Sequence, residues 1–403
     1  MSSEQGMAVP ILKLAIKSTF VLLGAFCLLT QGDAVAQQQN RNGAFRRIKK
    51  TFEFGRSGHV VHQISDGKII VAAGAWGDLG GENVAEIFDP IKSTFGRIES
   101  RLSEPRSGAA QIVFPDGKLM LLGGAADFEL AMRTSDVFDP SSRKFARGPE
   151  MVEERSGHSA TLLADGRVLV AGGTGGRDCI HDSIEILDQK RSEFGKLSAK
   201  LLVPRTNHTA TMLDEKHLLI AGGETGSSCD SDEGESQILS TAEIINIQTM
   251  TSESVKLPMK EPRLYHTASL MKDGRVLIAG GLKSQGVSVG VLESFNPQSR
   301  EFQTVGSTLV SRSLHASFML ENEDFLVVGG VSDGVPQSSA ERCSKAGERF
   351  VCRLVANMSV PRWLLNGVVL KNGQVLIVGG LTNKIEPGQS RAGPSRSVEI
   401  FIP

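Results

Sequence analysis

The sequence predicts an all-β fold, a seven-bladed β-propeller with four antiparallel strands in each blade. Glycine supplies 44 of the 403 residues, which suits many short strands and tight turns. An apolar run that ends in a Gly-Gly or Ala-Gly pair recurs seven times, and its spacing of 49 to 58 residues is typical of a propeller blade. The last glycines of these runs are Gly74, Gly124, Gly173, Gly223, Gly281, Gly330 and Gly380.

Each repeat contains the same parts in the same order. An arginine and a short strand come first, and a turn such as Asp165-Gly166 then favours a tight hairpin. The apolar run follows, and we expect it to be buried on both faces between stacked blades. A loop leads to a third strand with an acidic residue, and the fourth strand carries Phe or Met. The arginines are Arg56, Arg106, Arg155, Arg205, Arg263, Arg312 and Arg362; the acids are Glu86, Asp136, Glu185, Glu243, Glu293, Glu341 and Glu399; the fourth-strand residues are Phe95, Phe145, Phe194, Met250, Phe302 and Phe350.

The two ends of the chain predict how the ring closes. The last repeat stops at its third strand, in the segment 397–401. Phe45 precedes Arg56 by 11 residues, as Phe95 precedes Arg106. We therefore expect residues 44–53 to be the outer strand of the seventh blade, which is completed by residues 363–403. This overlap would leave no open edge in the ring.

Composition excludes several classes of protein. Lys and Arg number 44 against 45 Asp and Glu, for a net charge of -1, whereas a nucleic-acid binder should carry a basic excess. An apolar content of 40% is too high for a disordered chain. Five cysteines are too few for a disulfide-dense scaffold.

The N-terminus resembles a secretory signal. Lys13 and Lys17 precede an apolar run at 20–29, and an Ala-Val-Ala site ends at Ala36. We predict a signal peptide at 1–36, a linker at 37–43 and the propeller at 44–403. The mature protein would be secreted, periplasmic or on the cell surface, without a membrane segment after cleavage. The alternative is an uncleaved N-terminal anchor.

These features resemble the kelch-repeat family, in its secreted bacterial branch within the galactose-oxidase-like group of propellers. The glycine doublets, the EIFDP-like third strands and four Arg-x-x-His starts carry the resemblance over roughly 44–403. Those starts are Arg155/His158, Arg205/His208, Arg263/His266 and Arg312/His315. The resemblance implies a seven-bladed propeller, but it says little about function because propellers host both enzymes and binding modules.

Two enzymes of related propellers test the idea of catalysis. The copper–radical chemistry of galactose oxidase needs two tyrosines, one of them linked to a cysteine, together with histidines. Tyr265 is the single tyrosine of this chain, so the resemblance does not extend to that chemistry. A bacterial sialic-acid mutarotase uses arginines and carboxylates at its pocket. Such residues are abundant here, so a sugar-handling enzyme stays an alternative.

The repeated charged residues have a structural and a functional interpretation. In four repeats the acid follows its arginine by 30 residues and in one by 29, which predicts structural Arg–carboxylate pairs inside each blade. The alternative is a ring of arginines that binds an anion at the channel. Histidines recur three residues after the arginine, at His59, His158, His208, His266 and His315. We interpret them as part of the repeat, with a metal site as the alternative.

The loops between the second and third strands are the predicted binding surface, because insertions on one face of a repeat protein often bind partners. The longest are 224–242 in blade 4 and 381–398 in blade 7. Asp230-Ser231-Asp232 hints at Ca²⁺, although the Gly and Glu of an EF-hand are out of place. We otherwise predict no metal and no cofactor. The candidate binding residues are Trp76, Asp78, Asp178, His181, Asp182, Asp230, Asp232, Arg391 and Arg396.

The cysteines predict two disulfides. Cys179 and Cys229 each lie seven residues after a blade glycine, so they occupy equivalent positions in adjacent blades 3 and 4. Cys343 and Cys352 flank the turn between two antiparallel strands of blade 6, where disulfide geometry is accessible. The alternative is four free thiols.

Together these observations predict a monomeric binding module that recognises an extracellular or periplasmic protein or glycan through one propeller face. They leave open a carbohydrate-acting enzyme of the mutarotase or isomerase kind, with arginines and carboxylates at the channel mouth. Whether the protein is an enzyme is left open, with binding favoured.

Overall fold

The structure is a computed structural model that describes residues 43–49, 51–75, 83–126, 130–229, 235–383 and 393–403. It confirms seven blades of four antiparallel strands. The N-terminal strand is β1 (Ala44–Arg47). Blade 1 contains β2 (Val60–Gln63), β3 (Ile69–Ala72), β4 (Ala85–Asp89) and β5 (Thr94–Ile98); blade 2 contains β6 (Ala110–Val113), β7 (Leu119–Leu122), β8 (Ser135–Asp139) and β9 (Lys144–Arg147); blade 3 contains β10 (Ser159–Leu162), β11 (Val168–Ala171), β12 (Ser183–Leu187) and β13 (Phe194–Lys200).

Blades 4, 6 and 7 each carry a short extra hairpin between the second and third strands. Blade 4 contains β14 (Thr209–Met212), β15 (His217–Ala221), the hairpin β16 (Glu224–Thr225) and β17 (Gln237–Ile238), then β18 (Ala242–Asn246) and β19 (Thr251–Ser254); blade 5 contains β20 (Thr267–Leu270), β21 (Val276–Ala279), β22 (Val291–Asn296) and β23 (Glu301–Ser307). Blade 6 contains β24 (Ala316–Met319), β25 (Phe325–Val328), the hairpin β26 (Val331–Ser332) and β27 (Val335–Pro336), then β28 (Ala340–Ala346) and β29 (Arg349–Leu354); blade 7 contains β30 (Asn366–Val369), β31 (Val375–Val378), the hairpin β32 (Leu381–Thr382) and β33 (Gly393–Pro394), then β34 (Val398–Ile402). Short 3₁₀ helices lie at Gly176–Asp178 and Ser284–Gly286.

The second strands form the core, as their apolar sequence predicted. All four residues of β7 are buried, as are all four of β21. Between blades 1 and 2, Ile70 and Ala72 of β3 share one apolar cluster with Leu119 and Leu121 of β7. Each blade thus buries apolar side chains on both faces of its sheet, which is the main stabilising contribution in such a stack.

The ring closes through the N-terminal strand, as predicted. β1 pairs with β34, with Phe45 opposite Phe401, and the two rings lie 5.2 Å apart between centroids. The strand ends at Arg47 rather than continuing to residue 53. The reason is packing, because Phe52 turns inward and is buried against Phe95 of blade 1.

A repeated backbone hydrogen bond joins every pair of neighbouring blades. The last residue of each pair is a glycine, and its N–H donates to the carbonyl of the arginine that opens the next blade, at 2.8 to 3.0 Å at all seven junctions. These glycines have φ between 88° and 109°, a conformation that favours glycine. A Cβ on Gly223 would also stand 2.5 Å from the carbonyl oxygen of Thr206. The glycine pair is therefore a requirement of blade packing.

Candidate functional site

The seven arginines and seven acids form structural ion pairs inside the blades. Each arginine is buried and bonds the acid of its own blade. In blade 6, Arg312 donates to the carbonyls of Gly329 at 2.8 Å and Ser339 at 3.1 Å, and to Glu341 at 2.7 Å. Glu341 also accepts the N–H groups of Leu309 and Val310. Because their guanidinium groups are buried and bonded inside the blades, the arginines do not form the alternative anion-binding ring at the channel.

The five repeated histidines pack at the junctions between neighbouring blades. Each imidazole ring packs against the first glycine of the pair in the preceding blade. A Cβ added to that glycine would lie within 3 Å of the ring. Burial first, and then the charge of a neighbouring arginine, lower the pKa of four of them to about 3 and that of His208 well below its usual value. They are therefore neutral at physiological pH. His266 Nε2 lies 2.9 Å from Thr209 Oγ1 of blade 4, whereas His158 has no hydrogen-bond partner among the described residues.

The residue two positions after each arginine lies at the propeller axis. We call these seven residues the axial ring, and all of them have a left-handed φ of 52° to 65°. Backbone hydrogen bonds pass from one to the next at six of the seven junctions, for example from Leu364 N to Leu314 O at 2.9 Å. The axial ring is Gly58, Gly108, Gly157, Asn207, Tyr265, Leu314 and Leu364.

A cavity of about 230 Å³ lies beside the axial ring, on the side of blades 5, 6, 7 and 1. Burial, with the nearby charge of Glu224, raises the pKa of Tyr265 to about 12. The tyrosine and the three histidines of the wall are therefore uncharged near neutral pH. The lining residues are Gly58, His59, Tyr265, His266, Leu314, His315, Leu364, Leu365 and Asn366.

The loop face is the name we give to the loops between second and third strands together with the connections between blades. Its first ordered element joins blades 3 and 4. The predicted Cys179–Cys229 disulfide is present, and Ile180 bonds the neighbouring loop through Ile180 N to Ser227 O at 2.7 Å and Cys229 N to Ile180 O at 3.2 Å. We call this arrangement the clamp.

Three predicted binding residues surround the clamp but do not converge. His181 is buried, with Nε2 lying 3.2 Å from Glu154 O and Nδ1 lying 3.4 Å from Glu153 Oε2. Asp182 pairs with Lys200 at 3.1 Å, and Asp178 is exposed. Burial first, and then Arg155, lower the pKa of His181. This histidine is therefore a packed neutral group and not part of a shared ligand set with the two aspartates.

The remaining predicted binding residues have different positions. Arg396 is partly buried in the segment that follows the blade 7 hairpin. The other five lie outside the described residues, and their binding role stays a prediction. They are Trp76, Asp78, Asp230, Asp232 and Arg391.

A second joint links the loops of blades 5 and 6, and the sequence reasoning missed it. Ser288 N donates to Asp333 Oδ1 at 2.9 Å, and Asp333 N donates to Ser288 Oγ at 3.1 Å. Asp333 belongs to the turn of the blade 6 hairpin. The Asp333-Gly334 dipeptide is a hairpin signal that could have revealed this element. The blade 6 loop has ordinary length, so loop length alone does not indicate this joint.

The loop face also carries exposed apolar side chains. Seven of the twelve large hydrophobic residues that are exposed in the described ranges belong to it. Single exposed residues are common, but their concentration on a face with two ordered joints marks that face as a candidate interaction surface. The seven are Leu130, Val152, Leu202, Leu257, Val287, Leu309 and Val335.

All four cysteines in the described ranges form disulfides. The predicted Cys343–Cys352 disulfide is present between paired strands, so both disulfide predictions are confirmed. Glu341 and these two cysteines form the one cluster of potential metal ligands found in the described ranges. Because both sulfurs are bonded to each other, the cluster does not offer a metal site.

Comparison with solved structures supports the fold. A fungal alcohol oxidase of the AA5 family, described in complex with copper, is similar to this chain with a TM-score of 0.71 and 16% identity over 90% of this chain and 76% of that one. The protein YjhT is similar with a TM-score of 0.52 and 15% identity over 62% of this chain and 84% of that one. No protein-family model and no curated protein matches the chain. At these identities the likeness shows the fold alone.

The copper of the fungal neighbour finds no matching ligand set in the described part of this chain. Tyr265 is the single tyrosine, and no three His, Cys, Asp or Glu side chains other than the disulfide cluster converge there. His266 Nε2 and His315 Nε2 already lie within hydrogen-bond distance of threonine hydroxyls. The axial residues therefore do not fit a redox copper centre.

Separately, no helix among the described residues is long and apolar enough to cross a membrane.

Proposed function

We propose that this protein is a binding module outside the cytoplasm that recognises a protein or glycan partner through its loop face. The clamp carries the proposal. A disulfide and two backbone hydrogen bonds hold the loops of blades 3 and 4 together on that face. A surface that is ordered before it binds avoids part of the entropy cost of association.

Closure of the propeller does not require the clamp. Gly173 N already bonds Arg205 O between blades 3 and 4 at 2.9 Å, and the apolar residues of β11 and β15 share one cluster. The other blade junctions use the same two devices without a disulfide among the described residues. The clamp therefore adds rigidity to the loops rather than to the ring, which favours a role in recognition.

The chemistry of the axis favours binding over proton transfer. General acid–base catalysis needs a group whose pKa lies near the working pH. The histidines of the axial cavity have pKa values of about 3 and Tyr265 of about 12. The alternative, a carbohydrate-acting enzyme with arginines and carboxylates at the channel mouth, stays a prediction that this neutral wall does not favour.

The proposed location outside the cytoplasm has two supports. Disulfides persist in oxidising compartments, and four of the five cysteines form two of them. The signal-like segment 1–36 lies outside the described residues, so its cleavage stays a prediction.

Capture experiments with matched surface variants test the proposal. The protein expressed without residues 1–36 would be immobilised and exposed to extracytoplasmic extract and to a glycan array. Leu202, exposed in the connection between blades 3 and 4, and Val335 of the blade 6 hairpin would be changed to Lys, and Ile91→Lys on the opposite face is the control. We expect L202K or V335K to weaken capture at least tenfold and I91K to leave it unchanged. Capture that depends on Ile91 instead, or no capture from either source, would contradict the proposal.

A further inference from the structure

We propose that the axial cavity receives an uncharged, apolar side chain of the protein partner. This inference rests on the proposed function and chooses a protein over a glycan as the occupant. Three features of the described residues carry it: the backbone conformation of the axial ring, the neutrality of the cavity wall, and the unequal chemistry of the two halves of the channel mouth.

The axial ring retains large side chains where the backbone disfavours them. Blades 1, 2 and 3 place glycine in the ring, and glycine adopts the left-handed conformation freely. Tyr265, Leu314 and Leu364 adopt it with φ of 52° or 53°, and for bulky residues this is an outlier that costs stability. Since glycine satisfies the same position in three blades, the ring itself does not need these side chains. All three line the cavity, where their side chains supply aromatic and apolar wall.

The wall of the cavity selects against charge. Its histidines and Tyr265 are neutral near physiological pH, and Leu314, Leu364 and Leu365 supply apolar surface. A charged group that entered would lose its hydration without gaining a counter-charge from a lining residue, and an anion would also meet the nearby charge of Glu224.

The wall also selects against a sugar. Asn366 already donates to His59 O at 3.0 Å and accepts from Gly367 N at 2.8 Å. One donor and one acceptor position of Asn366 are therefore already used, and the three leucines of the wall offer sugar hydroxyls no partner. Each buried hydroxyl left unpaired would weaken binding. The volume of about 230 Å³ is several times that of one water molecule, roughly 30 Å³, so an aliphatic or aromatic side chain can enter.

The mouth of the channel is divided in the same way as the axial ring. The residue after each glycine pair forms a backbone bridge with the residue after the arginine of its own blade. In blades 1 to 4 this residue is alanine, threonine or glutamate, and in blades 5 to 7 it is leucine or valine. The aliphatic half matches the side of the ring whose leucines line the cavity, and an inserted apolar side chain would lie on that side. These residues are Ala75, Ala125, Thr174 and Glu224 in the first half, and Leu282, Val331 and Leu381 in the second.

Removing the strained side chains tests the inference. L314G/L364G gives both positions the residue that blades 1 to 3 use, and N207G is the control, because Asn207 belongs to the ring but does not line the cavity. L314A/L364A is a second variant that keeps a Cβ. The probes are N-acetylphenylalaninamide and N-acetylleucinamide, with N-acetyllysinamide and methyl glucoside for comparison, and binding is measured by saturation-transfer NMR.

We expect the two apolar probes to bind wild type and N207G equally, and both double variants to weaken this binding at least tenfold. Because relief of strain offsets lost contacts, we expect the thermal midpoint of L314G/L364G to stay within about 3 °C of wild type. Preference for methyl glucoside or N-acetyllysinamide, equal binding by L314G/L364G, or no binding of the apolar probes would overturn the inference. A captured partner that binds L314G/L364G as tightly as wild type would overturn it while leaving the proposed function intact. Failure of all capture with the apolar probes still bound would overturn the proposed function instead.

Discussion

Removing each disulfide separately tests what the clamp contributes. C179S/C229S opens a covalent loop with a sequence separation of 50, and C343S/C352S opens one of 9. In the chain-entropy model, stabilisation rises with the logarithm of loop length, to about 4 kcal/mol for the first disulfide and about 2.5 kcal/mol for the second. The clamp variant should therefore lose about 1.5 kcal/mol more free energy of unfolding than the hairpin variant.

The assay is equilibrium unfolding in urea followed by far-UV circular dichroism, with the free energy obtained by linear extrapolation. The same two variants would be tested for affinity to the captured partner. We expect C179S/C229S to lose at least tenfold in affinity, because its loops must be ordered during binding. C343S/C352S lies away from the loop face, between β28 and β29, and its affinity should equal that of wild type.

Two results would refute this reasoning. A larger loss of stability in C343S/C352S than in C179S/C229S would show that loop length does not govern the contribution of these disulfides. Unchanged affinity in C179S/C229S, measured at a temperature where the variant is folded, would show that the clamp does not prepare a binding surface.

Three further predictions concern the blades. E341Q leaves the buried Arg312 without its counter-charge, and urea unfolding should show a loss of about 3 to 5 kcal/mol; an unchanged midpoint would contradict the ion pair's role. His158 has a pKa of about 3 in the folded protein and about 6.5 when unfolded, so the unfolded chain binds the extra proton and stability falls as pH drops from about 6.5 towards 3. His158→Leu removes this group, and its free energy of unfolding should depend less steeply on pH between 6 and 4, by up to about 1.4 kcal/mol per pH unit; equal slopes would count against a neutral buried histidine. Gly223→Ala places a Cβ 2.5 Å from Thr206 O at a φ of 92°, and thermal unfolding should show a loss of about 1 to 3 kcal/mol; an unchanged midpoint would contradict the requirement for glycine at this junction.

The fold was predictable because the sequence repeats each structural requirement in seven registers. Glycine pairs mark the blade junctions, and Phe45 marks the strand that closes the ring. The equivalent positions of Cys179 and Cys229 predicted the clamp, since equivalent residues in adjacent blades are neighbours. The repeat of the histidines was also visible in the sequence. Its structural reason was not, because each histidine contacts a glycine of the preceding blade, which is a long-range packing contact.

The site was less predictable because it depends on departures from the repeat. Leu314 and Leu364 lie in a left-handed conformation that their own propensity opposes, and they adopt it within the long-range backbone hydrogen bonds of the axial ring. The predicted grouping of Asp178, His181 and Asp182 assumed that neighbours in a loop share a ligand. The structure turns His181 towards Glu153 and Asp182 towards Lys200 instead, so the two side chains face different partners.

Footprinting of the protein with and without its captured partner shows directly which face of the propeller binds. Hydrogen–deuterium exchange and hydroxyl-radical labelling would compare the loop face with the turns of the opposite face. We expect protection in the clamp segments 176–182 and 224–229 and in the blade 6 hairpin at 331–336, together with reduced labelling of Leu314 and Leu364. Protection at the opposite-face turns 66–68 and 89–94, with the loop face unchanged, would contradict it.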